Sequence, residues 1–152
     1  MRKIFSVCLL SLLCFVLSSC SDDDGNGFNW KGDWSNPKDP NYKEGYNPIK
    51  GIWISETNAG YAVQFTTDYD MRGLALDNEG KWTLASIIAD GYGINDEAIM
   101  YVREIRDEKG NVVNKITTYV RYRLENEGKT LSLIPEPADK GQGWEKYTKY
   151  SE

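Results

Sequence analysis

The sequence predicts an all-β domain, an antiparallel up-and-down meander of about eight strands, and three observations carry that prediction. Past Lys50 the chain breaks into short runs rich in β-branched and aromatic residues at regular spacing, which is how sandwiches and small barrels read. An Asp- or Asn-led turn closed by glycine recurs at Asp77–Gly80, Asp107–Gly110 and Asn126–Gly128. No stretch of the domain carries a sustained apolar stripe of helical period.

The runs follow in order. Gly51–Thr57 ends at Asn58, Ala59 and Gly60, and Tyr61–Thr67 alternates Tyr61, Val63 and Phe65 with Ala62, Gln64 and Thr66. Asp68, Tyr69 and Asp70 turn the chain into Met71–Leu76. Asp77, Asn78, Glu79 and Gly80 form a type I turn in which glycine takes the left-handed position, and Lys81–Asp90 follows. Ala98–Arg106 and the long Val112–Leu124 flank the second such turn. In Val112–Leu124 the residues Val112, Ile116, Val120, Tyr122 and Leu124 share one parity, opposite Lys115, Thr117, Arg121 and Arg123, the pattern of a half-buried strand. Thr130–Ile134 is stopped by Pro135 and Pro137, and Gly143–Tyr150 closes the series. A meander this long leaves two exposed edges unless its first and last strands pair, so closure into a small barrel is expected.

Everything before the domain concerns placement. Arg2 and Lys3 precede the apolar stretch Ile4–Leu17, which is shorter than the roughly 18–20 residues that span a bilayer and reads as a signal h-region. Leu17, Ser18, Ser19 and Cys20 resemble the lipobox of bacterial lipoproteins. That resemblance implies a signal peptide over residues 1–19, cleavage before Cys20, and a diacylglycerol thioether with amine acylation at Cys20. Several acyl chains, each methylene contributing about 0.8 kcal/mol, make such an anchor stable. Ser21, Asp22, Asp23 and Asp24, with Gly25, resemble the export signal of Bacteroidetes surface lipoproteins, against the plainer reading of a solvated tether. The location implied is the outer membrane, lipid-anchored and facing the cell surface. Residues 20–48 form a tether punctuated by Pro37, Pro40 and Pro48. Its aromatics Phe28, Trp30, Trp34, Tyr42 and Tyr46 are unusual for a disordered spacer and are expected to dock on the protein's own barrel, with a glycan or protein contact or simple exposure as the alternatives.

Gly51, Ile52 and Trp53 opening the first strand, the eight-strand meander, and Trp144 opening the last resemble the lipocalin-like domains of bacterial lipoproteins, here over residues 49–152. The resemblance implies a calycin-type barrel with Trp53 near its closed end. The chain departs from it in lacking a disulfide and a helix after the last strand, and in being short for a ligand carrier.

Composition narrows the chemistry. The chain holds 18 basic and 23 acidic residues, and loss of the leader removes Arg2 and Lys3, so the domain is acidic and offers no electrostatic surface for nucleic acid. The three cysteines all lie at or before Cys20, and histidine is absent, which removes the usual general base and the commonest zinc ligand. Asp68, Asp70, Gly73 and Glu79 fall on a calcium-loop spacing, but Arg72 stands where a ligand oxygen belongs. Asp90, Asp96 and Glu97 flank a Gly91–Gly93 turn without an apolar pocket to raise one of their pKa values. No metal, cofactor or catalytic residue is expected, and the domain is read as non-enzymatic. Of the five Trp and ten Tyr, several sit on strands. Trp53, Phe65, Trp82, Tyr101 and Tyr122 are the candidate ligand-binding residues, since flat aromatics suit a sugar ring or an apolar ligand and equally fill a small core. The expectation is a membrane-anchored binding module for a small apolar or glycan ligand. The alternative is an interaction subunit of a surface complex, with a filled barrel and a surface-protein partner.

Overall fold

The structure is a computed structural model and describes residues 28–151. The leader, Cys20 and the Ser21–Asp24 run lie outside the described residues. The chain divides into two compact units, the first ending at Trp30 and the second beginning at Lys31. The second unit carries the sheet.

Nine strands succeed one another in it: β1 (Gly51–Ser55), β2 (Tyr61–Phe65), β3 (Met71–Leu76), β4 (Trp82–Ala89), β5 (Gly93–Ile94), β6 (Ala98–Arg106), β7 (Val112–Glu125), β8 (Thr130–Glu136) and β9 (Glu145–Lys149). Every pairing is antiparallel, and the order across the single sheet is β4-β3-β2-β1-β9-β8-β7-β6-β5. The expected pairing of first and last strands is present, with Trp53 opposite Lys149 and Ser55 opposite Tyr147. Closure itself is not: among the described residues no ladder joins β4 to β5 or β6, and the sheet stays open along that seam.

The turns follow from their side chains. In the first and second glycine turns, Asp77 Oδ1 accepts from the N–H groups of Glu79 and Lys81, and Asp107 Oδ1 from those of Lys109 and Asn111. Gly80 and Gly110 then adopt φ of 79° and 88°, which an L side chain resists. The third turn differs, since Asn126, Glu127 and Gly128 all have positive φ and the Asn126 amide donates to Thr130 Oγ1 at 2.8 Å. Pro135 does not end β8, contrary to the expectation from its position. It pairs with Val120, and β9 reaches only as far as Leu133, so the proline's missing N–H falls on an unpaired edge.

Register explains the core. Phe65 lies opposite Met71 and Met71 opposite Ala89, Leu133 opposite Tyr122, and Ile99 opposite Val120. All of these belong to one buried cluster with Trp53, Leu131 and Tyr147. Side chains from both ends of the strand order share that core, so the sheet is rolled. Phe65 and Tyr69 each meet the Tyr92 ring edge-on at 5.6 Å between centroids.

The segment 31–50 belongs to this unit. Its Trp34 N–H donates to Ile94 O at 2.8 Å, Asp33 Oδ1 accepts from Ile94 N–H, and the Asn95 amide donates to Gly32 O, which covers the outer edge of β5. Glycine at position 93 lets the two segments approach, because a Cβ there would sit 2.9 Å from the Asp33 carboxyl carbon and force that side chain to shift. At the other end of the sheet the Asn47 amide donates to Thr66 O, while Tyr69 OH donates to Tyr46 O and Tyr92 OH to Asn47 Oδ1. The tether aromatics expected to dock include Trp34 and Tyr46, which face each other at 5.6 Å with the Lys43 ammonium over both rings. Tyr42 stays exposed.

Candidate functional site

β6 and β7 are longer than the strands beside them. β8 pairs with β7 only from Tyr119 to Glu125, so Val112–Thr118 has β6 as its sole partner and the hairpin overhangs as a two-stranded arm. The parity read for β7 holds where β8 supports it, at Val120 and Tyr122. Along the arm the stripe is exposed, and Val112, Val113 and Ile116 face solvent. The half-buried strand expected over Val112–Leu124 is therefore buried only in its second half, because burial needs a sheet on one side and the arm has none.

Between β4 and this arm lies a cleft of about 1100 Å³, walled by Ile87–Gly93 on one side and Met100–Arg106 on the other, with Lys115 at the rim. It is the open seam of the sheet. Both walls are strand edges. β5 covers β6 only at Ile99 and Met100, and β4 is the last strand of the order.

Hydrogen-bond direction along β6 can be read from its N-terminal end. Ala98 O accepts from Asn95 N–H on the seam side, and Glu97 O accepts from Tyr122 N–H on the β7 side. Successive residues of an antiparallel strand alternate in direction. Ile99, Tyr101, Arg103 and Ile105 therefore direct their N–H and C=O groups at β7. Val102 and Glu104 direct theirs into the seam, where no described backbone group meets them.

The edge of β4 is rougher, with register shifts opposite Met71/Arg72 and Gly73/Leu74. Apolar groups stand at the mouth: Ile87 is 48% exposed and Val102 46%. Of the charged groups, Glu104 is engaged by Arg106 and, at 3.9 Å, by Lys115, and Arg106 also donates to Gly110 O. Asp90 lines the inner end.

The five nominated aromatics do not come together around this cleft. Trp53 is fully buried, its Nε1 donating to Ile49 O at 2.7 Å with the Lys149 ammonium 4.8 Å from its ring. Phe65 is fully buried in the same core. Tyr122 donates to Asn95 O at 2.6 Å, and burial, then the neighbouring Tyr46 hydroxyl, push its phenol far above the ordinary range. Trp82 begins β4 and meets Tyr150 edge-on at 6.4 Å. Tyr101 alone of the five lines the seam; burial raises its phenol, and the nearby Arg103 guanidinium works the other way.

The carboxylates part company as well. Lys31 lies 3.7 Å from Asp96 and 3.5 Å from Glu97, while Asp90 belongs to the cleft. On the calcium-like spacing, Arg72 reaches Asp70 at 3.4 Å. Among the described residues, no three His, Cys, Asp or Glu side chains gather to hold a metal ion. No family model, curated protein or solved structure matches the chain.

Sequence reasoning missed β5, read as part of the Gly91–Gly93 turn, and with it the seam. Two signals pointed there. In β4 the apolar residues Leu84, Ala85, Ile87 and Ile88 occupy both parities, which suits no strand with one wet face. The Val112–Leu124 run was also far longer than Thr130–Ile134, its partner, and so had to overhang.

Proposed function

We propose that this protein is a non-enzymatic interaction subunit of the bacterial cell envelope, lipid-anchored at Cys20 and displayed from the outer membrane, that docks a protein partner at its open seam. The observation that carries the reading is the contrast between a filled core and an open cleft. Four of the five aromatics nominated for a ligand lie in the packed core. The cleft instead exposes unpaired strand edges and apolar side chains, the features of a protein-docking surface. Pairing of β1 with β9 supports relating the rolled sheet to the lipocalin-like barrels, opened between β4 and β6.

A second reading, a small apolar or glycan ligand in the same cleft, is favoured by Tyr92 and Tyr101, which both line it. Photo-crosslinking in the native membrane separates the two. With the photoreactive residue at Val102 or Ile87, a discrete protein adduct is expected, and none from the exposed control position Lys140. An adduct carrying only a lipid or sugar mass favours the second reading, and no adduct overturns both. Loss of labelled fatty acid from the Cys20→Ala variant checks the anchor.

A further inference from the structure

We infer that the partner enters the seam as an extended polypeptide strand, running antiparallel to β6 and bonded to the main chain of Val102 and Glu104. This deepens the docking reading and rests on it. The occupant's chemistry follows from what the seam leaves unmet. Val102 and Glu104 each point one N–H and one C=O into the cleft, two residues apart along a regular edge. An extended peptide presents donors and acceptors at that same repeat, whereas an acyl chain has none and a sugar has no such period.

The two walls are not equivalent acceptors. The irregular register of β4 spoils its ladder, in the way natural edges are blunted against pairing. β6 has no shift from Ala98 to Ile105. The incoming strand therefore bonds to β6 and lays side chains on β4. Its alternate residues fall on two different surfaces: one set meets the apolar side chains Val102 and Ile87 at the mouth, and the other turns toward Tyr101, next to the core. The sequence expected of the partner is an alternating apolar run free of proline. Bound, it would continue the sheet along β6 past the point where β5 ends at Met100.

The test uses the whole lipid-free domain and a phage-displayed library of random dodecapeptides, with the selected peptides then synthesised. Alternating apolar peptides are expected, and their binding should slow amide exchange at Val102 and Glu104 while leaving Ile105 unchanged. Val102→Pro removes one seam-facing N–H and no β7 bond, and should weaken binding about tenfold. Val102→Thr keeps the N–H and should bind nearly as wild type. If Val102→Pro fails to fold, the exchange measurement on the wild-type chain decides alone. Peptides that bind without protecting Val102 and Glu104, or a library that yields none, overturn the strand. If bound peptides are instead lost with the paired Ile87→Asp and Val102→Asp substitutions but leave those amides unprotected, the seam still docks a partner and only the strand geometry is wrong. Binding untouched by all of these substitutions overturns both.

Discussion

The rolled sheet ends differently at its two sides. Where segment 31–50 crosses it, the edge at β5 and the nearby turn are covered: Trp34 bonds to β5, Asn47 to the β2–β3 turn, and the rings of Tyr69 and Tyr92 pack over the core between them. Along the seam between β4 and the β6–β7 arm no such cover is present among the described residues, and main-chain groups and aliphatic side chains line an open cleft. Among the described residues, one flank is therefore sealed by about twenty residues of the chain itself, 31–50, and the other is not.

The largest effect that sharpens this contrast is expected of alkali. Burial holds the phenols of Tyr92, Tyr122 and Tyr147 well above their ordinary value of 10.0. In the unfolded chain they lose protons near that value, and in the fold only at higher pH. Above it the unfolded state binds fewer protons than the folded one, so stability falls as pH rises; below it these groups contribute no pH dependence. Absorbance titration is expected to show these tyrosines ionising together with the loss of near-ultraviolet circular dichroism. Independent ionisation in a fold that stays intact would contradict the sealed core.

Trp53→Ala comes next. It empties the largest fully buried side chain and leaves Ile49 O without its donor, a loss of about 3–5 kcal/mol by urea denaturation. Asn95→Ala should follow at roughly 1–3 kcal/mol, because the fully buried amide holds Gly32, Glu97 and Ala98 at once and its loss strands their backbone groups. Ile116→Thr on the arm should move stability by no more than about 0.5 kcal/mol, since the residue packs against little. If it costs as much as Asn95→Ala, the arm is not a loosely held element.

Most of the framework was legible beforehand. Alternation at Tyr61–Phe65, the Asp-x-x-Gly turns and the length of Val112–Leu124 are local signals, and the structure keeps all eight strands they marked. Pairing of first and last strands followed from the cost of two long edges. The seam was not legible, because that same argument assumes that a chain covers its edges where it can. Nor was the fate of the aromatics: Trp53 and Tyr122 have the same composition signal whether they face a ligand or a core, and only the register of β1 against β2 and of β7 against β8 separates the two. The docking of Trp34 and Tyr46 was hinted at by composition, while the glycine that admits it, Gly93, lies far along the chain and carries no mark of the contact.

The place of β9 has a consequence for when this molecule can exist. The last strand lies between β1 and β8, so without it the sheet falls into two separate halves, β4-β3-β2-β1 and β8-β7-β6-β5. The join is made by residues as distant as Lys50 and Lys149, 99 positions apart. Contacts of that separation form late and slowly. A chain emerging N-terminus first can build half a sheet with a raw edge at β1, but cannot complete the fold until β9 arrives. Assembly is in this sense gated by the arrival of β9, and until then the future centre of the sheet is exposed.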